Sequence, residues 1–145
     1  MKIQITTISS NYDENTGISE TEILTDLGSF KGIARLHPED KEIASRFAGC
    51  RYAETRAVIK YFKMKIKVIN NQLETLRRIA YEIKNKKYYK ENNTGTKLLE
   101  KNIYILEDDK QFFQKNIHLL NEKLREEFEE RPKIIQEHKA KQSNK

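Results

Sequence analysis

The sequence predicts an α+β fold that is mostly α: a small N-terminal antiparallel β-meander followed by a long antiparallel two-helix coiled-coil hairpin. Three observations predict it. Apolar residues from Phe62 to Ile83 recur at alternating steps of four and three, the same rhythm returns from Leu99 to Leu124, and the first 36 residues alternate with period two instead.

The meander comes first. Ile3, Ile5 and Ile8 punctuate one run, residues 11–17 are rich in turn formers, and a second run covers 18–27. A third run, 30–36, alternates again, with Phe30, Gly32, Ala34 and Leu36 on one face and Ile33, Arg35 and His37 on the other. Gly32 and Ala34 are small, so a helix can come close to that face. His37-Pro38-Glu39-Asp40 then reads as a helix start. Proline suits the first helical position, and carboxylates suit the positive end of the helix dipole.

Helix one is expected over 38–87, with Phe62, Ile66, Ile69, Leu73, Leu76, Ala80 and Ile83 as a heptad seam. Ala44, Ala48, Thr55 and Val58 extend the register upstream, but Arg51 falls on it. A charge there either marks the end of the packed zone or faces something specific. Residues 88–96 form the connecting loop, with Thr96 as N-cap. Helix two is expected over 97–131, on a seam of Leu99, Ile103, Leu106, Phe113, Ile117, Leu120 and Leu124 that Lys110 interrupts. Arg131-Pro132 marks its end, with a short further turn through Ile134 and Ile135 as the alternative, and 132–145 is a polar tail. The whole is one domain. Each helix runs about 35–48 residues, roughly 50–70 Å.

Ile59, Val68, Ile79, Tyr104, Ile105 and Phe112 flank the seams and can pack on a second copy. A homodimer or higher homo-oligomer is therefore expected, with an obligate hetero-partner as the alternative.

Composition narrows the classes of function. Of 145 residues, 37% are apolar and 34% charged, which suits long exposed helices. No run nears the ~18 apolar residues that span a bilayer, and the first residues lack an apolar signal core, so a cytoplasmic protein is expected. Cys50 is the only cysteine, which excludes an intrachain disulfide and a cysteine zinc site. It reads as a half-buried packing residue rather than a nucleophile. Net charge is +6, with about a dozen Lys or Arg between Arg51 and Lys90 and acid concentrated in helix two. That asymmetry either draws the helices together or leaves a positive surface for an anionic partner.

No catalytic or metal-binding signature is present, and His37, His118 and His138 are far apart, so no enzyme, cofactor or metal is expected. Anion binding has better candidates. Residues 32–40 lead a strand into the free N–H groups of a long helix, and Arg46, Arg51, Arg56 and Lys60 follow. Arg56 and Lys60 are one turn apart on one face. The alternative is a solvated basic face with ordinary capping. A second candidate is the hairpin tip, residues 84–90, where lysines interleave with tyrosines as in nucleic-acid contacts; a merely polar tip is the competing reading. Tyr52, Tyr61 and Tyr81 lie along helix one and can either stack on a base or pack.

The segment Gly32, Ala34, His37, Pro38, Glu39, Asp40, followed by Ala53-Glu54-Thr55-Arg56-Ala57-Val58-Ile59-Lys60, resembles the first type of Thoeris anti-defence protein. The motif-level resemblance covers residues 28–62; beyond them it is one of architecture. Members of that family are phage-encoded sponges. They sequester, without cleaving it, the cyclic ADP-ribose isomer that a bacterial TIR-domain enzyme makes, and some hold cyclic oligonucleotides at a separate site between subunits. The resemblance implies a ligand site at Arg35, His37, Asp40, Arg51, Arg56 and Lys60, where cations meet a pyrophosphate and a tyrosine meets adenine. Two other readings stand beside it: a basic nucleic-acid-binding or nuclease-inhibiting protein, and a structural adaptor.

Overall fold

A computed structural model describes residues 2–35, 46–86 and 94–143, with the backbone alone at 46–48, 94 and 127–143. The element order is β1 (Ile5–Asp13), β2 (Ile18–Thr25), β3 (Gly28–Arg35), α1 (Arg46–Lys84) and α2 (Thr94–Ser143). This is the expected class: an antiparallel three-stranded meander with β2 central, followed by two long helices. The expected start of helix one at Pro38 lies outside the described residues, as do His37, Asp40 and Ala44.

The chain divides into two compact units, residues 62–116 and residues 2–61 with 117 onward. In the sheet-bearing unit, β2 and β3 turn one face to α1. Ser19, Thr21, Ile23 and Thr25 from β2 are buried there, with Gly32 and Ala34 from β3. The helix answers with small residues, Ala53 and Ala57, both fully buried. A Cβ added at Gly32 would run into the Ala53 carbonyl oxygen and stand 2.6 Å from the Ala57 nitrogen. Strand and helix therefore meet backbone to backbone, as the small residues on the third strand predict. Thr21 Oγ1 donates to the Cys50 carbonyl at 3.2 Å. With its proton so committed, Thr21 accepts from Ser10 Oγ, also 3.2 Å away. Cys50 is half-buried, as expected.

The first turn differs from expectation. Asn11, Tyr12 and Asp13 pair with Glu20, Ser19 and Ile18, so β1 extends into the segment assigned to the loop. An edge strand tolerates such residues because only one side of its backbone must be satisfied. The reversal begins at Asp13, whose carboxylate accepts from the Asn15 N–H at 2.9 Å. Between β2 and β3 only Asp26 and Leu27 intervene. Thr25 Oγ1 donates to the Gly28 carbonyl at 2.7 Å, and Gly28 takes a φ of 110°.

In the helical unit the seam is as expected. Phe62, Ile69 and Leu73 are buried, and Ile66, Leu76, Ala80 and Ile83 half-buried. On α2, Phe113 is buried and the other seam residues are half-buried, Lys110 among them. Phe62 and Phe113 pack as tilted rings with centroids 5.2 Å apart, and Arg77 pairs with Glu107, which fixes an antiparallel hairpin. Three boundaries move. Helix α1 ends at Lys84, where a tightened bond from Lys86 N–H to the Ile83 carbonyl closes its last turn. Helix α2 begins at Thr94 rather than after Thr96, which is itself buried. It also runs to Ser143, through the expected stop at Arg131-Pro132. A proline forfeits one hydrogen bond, but the following Lys, Ile, Gln, Glu and Ala residues are adequate to good helix formers and carry the helix on.

Gly32→Ala should lower stability by about 3 kcal/mol, because the sheet must lift from α1. Gly28→Ala, with open space around it and only its φ to strain, should cost about 1–2 kcal/mol. Urea unfolding midpoints decide; equal losses would rule out the backbone contact as the cause.

Candidate functional site

The cations of the predicted site are sorted by the β3 edge. In a strand, the backbone groups of alternate residues point to the same side, so Lys31 and Ile33 present their carbonyls along the edge that β2 does not pair. Arg56 Nη1 donates to the Ile33 carbonyl at 2.6 Å, and Lys60 Nζ to the Lys31 carbonyl at 2.7 Å. One helical turn thus spans two strand residues, and the cations sit side by side. Both stay exposed to solvent. A carbonyl is a neutral acceptor, so each side chain is oriented without losing its charge. Guanidinium has five N–H donors and ammonium three, which leaves donors beyond the one given to the strand.

The other predicted residues are placed differently. Arg35 is exposed and pairs in register with Ile18, on the sheet face opposite the helix. That face also carries Lys31, held by Glu20 at 3.5 Å and Glu22 at 3.9 Å. Arg51 is exposed on α1, and five residues turn it about 140° from Arg56. It lies outside the buried stripe of this stretch, because the sheet covers Ala53 and Ala57 rather than the upstream extension of the seam. His37 and Asp40 lie outside the described residues. The structure therefore brings Arg56 and Lys60 together and sets Arg35 and Arg51 on other faces.

Of the tyrosines, Tyr61 is fully buried, Tyr52 half-buried and Tyr81 exposed. Tyr61 packs on Phe30 at 5.8 Å and donates its hydroxyl to Asp26 Oδ1, tying the β2–β3 turn to the helix. It holds the sheet and has no free ring face for a base. Sequence reading missed the Asp26 partner: an Asp before Leu-Gly reads as turn chemistry, and nothing local points it at a tyrosine 35 residues away. At the tip, the described lysines Lys84 and Lys86 are exposed; Tyr88 and Tyr89 lie outside the described residues.

In the helical unit, a groove of about 560 Å³ runs between the helices, lined by Leu76, Ile105 and Leu106 together with Asn71, Gln72, Thr75 and Asn102. Sequence reading missed it as well, because a groove between helices depends on side chains of both and leaves no local pattern. Among the described residues, no three His, Cys, Asp or Glu side chains converge on one point, and no helix is long and apolar enough to cross a membrane. No protein-family model, curated protein or solved structure matches this chain.

Tyr61→Phe should destabilise the protein by about 1–2 kcal/mol, since the Asp26 carboxylate loses a donor in a part-buried place. Urea unfolding of the two proteins checks it, and an unchanged midpoint would mean that water replaces the hydroxyl at no cost.

Proposed function

We propose that this chain is a nucleotide-signal sponge: it binds a cyclic ADP-ribose-type molecule and holds it uncleaved, blocking TIR-based bacterial immunity as an anti-defence protein in the host cytoplasm. The observation that carries the proposal is the Arg56–Lys60 pair. Two cations one turn apart are held at fixed spacing by strand carbonyls, at 2.6 and 2.7 Å, with donors left over. A pyrophosphate offers two adjacent anionic groups, and guanidinium can grip phosphate oxygens by parallel hydrogen bonds. Cations already oriented lose less side-chain entropy on binding.

The resemblance of residues 32–40 and 53–60 to the first type of Thoeris anti-defence protein supports the same reading, as does the meander-plus-hairpin architecture. The Gly32 contact gives the motif a physical meaning, since a larger residue there would displace the strand whose carbonyls orient the cations. A sponge acts by stoichiometry rather than turnover, so tight binding is the property to measure.

Calorimetry with a cyclic ADP-ribose isomer should show saturable binding, and mass spectrometry after denaturation should recover the ligand intact. Arg56→Ala with Lys60→Ala should weaken binding by two to four orders of magnitude while the helical circular dichroism is kept, from two charge-assisted contacts at about 1.5–3 kcal/mol each. Absence of binding, or a cleaved product, sinks the proposal. Strong, salt-dependent binding of DNA or RNA instead would favour the nucleic-acid reading.

A further inference from the structure

The ladder that aims the Lys31 and Ile33 carbonyls at the free edge of β3 aims their amides there too. Only Asp26 and Leu27 separate β2 from β3, so the closing pair, Thr25 with Gly28, exchanges hydrogen bonds and the pairs beyond it alternate. Glu22 with Lys31 and Glu20 with Ile33 are then pairs that exchange none. A strand residue points its N–H and its carbonyl to the same side. The Ile33 N–H therefore opens on the free edge, and among the described residues no acceptor takes it.

Backbone order puts that N–H between the two cations. Along the edge the Lys31 carbonyl comes first, then the Ile33 N–H, then the Ile33 carbonyl. The carbonyls are one strand repeat apart, about 6.8 Å, and they hold Lys60 Nζ and Arg56 Nη1. The amides of Lys31 and Arg35 open on either side of this pair rather than within it. An oxygen that accepts from Ile33 at about 2.9 Å stands between an ammonium and a guanidinium.

The surroundings leave that place open to an anion. The Ile33 side chain is 48% exposed and leaves the sheet on the face opposite the helix, so it does not cover its own amide. Two acids lie across the ladder, Glu20 and Glu22, and Lys31 Nζ holds both, at 3.5 and 3.9 Å. On α1, Glu54 accepts from Thr7 of β1, at the far edge of the sheet.

We propose that the Ile33 N–H is the third donor of the anion site. A phosphoryl oxygen accepts from it while Lys60 and Arg56 take the oxygens on either side. Anchored on carbonyls a full repeat apart, the two cations suit neighbouring oxygens of a diphosphate laid along the edge better than one shared oxygen. The inference rests on the sponge reading for the ligand's identity; the donor itself is tested with inorganic pyrophosphate.

In nitrogen–proton correlation spectra of the full chain, inorganic pyrophosphate should shift the Ile33 amide saturably, and further than the amides of Lys31 and Arg35. Proline is tolerated where an edge strand turns its N–H outward, so Ile33→Pro removes the donor and spares the ladder. It should bind pyrophosphate roughly tenfold to a hundredfold more weakly than Ile33→Ala, which loses the same side chain and keeps the N–H. Should the proline variant not fold, the amide shift in the unaltered chain decides alone. An Ile33 amide that pyrophosphate leaves unmoved, or equal affinities of the two variants, overturns the proposal. Pyrophosphate bound at Ile33 with no binding of a cyclic ADP-ribose isomer keeps this donor and ends the sponge reading. Equal binding of the isomer by both variants keeps the sponge and removes the donor.

Discussion

The contact on which the sheet-bearing unit depends is the approach of Gly32 to the backbone of Ala53 and Ala57. With no side chain between strand and helix, the separation of the two is set by backbone atoms, which barely adjust. Everything else at that junction inherits the spacing. Thr21 reaches the Cys50 carbonyl, Tyr61 reaches Asp26, and Arg56 and Lys60 reach the strand edge because β3 lies this close. These hydrogen bonds tolerate changes of a few tenths of an ångström. A sheet standing one methyl group further out would put several of them beyond range.

The two cations cover the free edge of β3. A free strand edge invites pairing with another chain, and natural proteins blunt it with charge, especially lysine. Arg56 and Lys60 do so from the neighbouring helix, by occupying the carbonyls themselves. Under the proposed function the same side chains receive the ligand, so strand protection and ligand recognition share donors. The opposite edge, β1, has a different safeguard: the register shifts between Thr7 and Ser9, a bulge of the kind that turns an edge strand away from regular pairing.

Much of this was legible in the sequence. The heptad seams from Phe62 to Ile83 and from Leu99 to Leu124 were readable because burial imposes a period, and Gly32 and Ala34 announced the close approach because small residues on an inward face have few other uses. What escaped were features whose partner is backbone or distant in sequence. The acceptors of Arg56 and Lys60 are carbonyls of Ile33 and Lys31, and every residue has a carbonyl, so residue types cannot show which one is used. The interruption of the upstream register at Arg51, for which the sequence left two readings open, has a related cause, although Thr55 and Val58 stay half-buried on that register. A heptad seam assumes a helix as the neighbour, whereas the sheet selects Ala53 and Ala57 and leaves Arg51 on the outside. The stop at Pro132 failed because proline disfavours a helix without forbidding it, and α2 runs through it to Ser143.

The inner face of the meander has a bearing on how the chain leaves the ribosome. On its central strand that face carries Ser19, Thr21 and Thr25 around one large aliphatic residue, Ile23, with Phe30 beside it on β3 and Ile5 and Tyr12 on β1. Three strands emerge well before the helix that covers them, and a nascent sheet with a greasy face would be an aggregation hazard while it waits. Hydroxyls keep that face wettable until Ala53, Ala57 and Tyr61 arrive to bury it. The meander stays benign during synthesis because it is nearly incapable of standing alone.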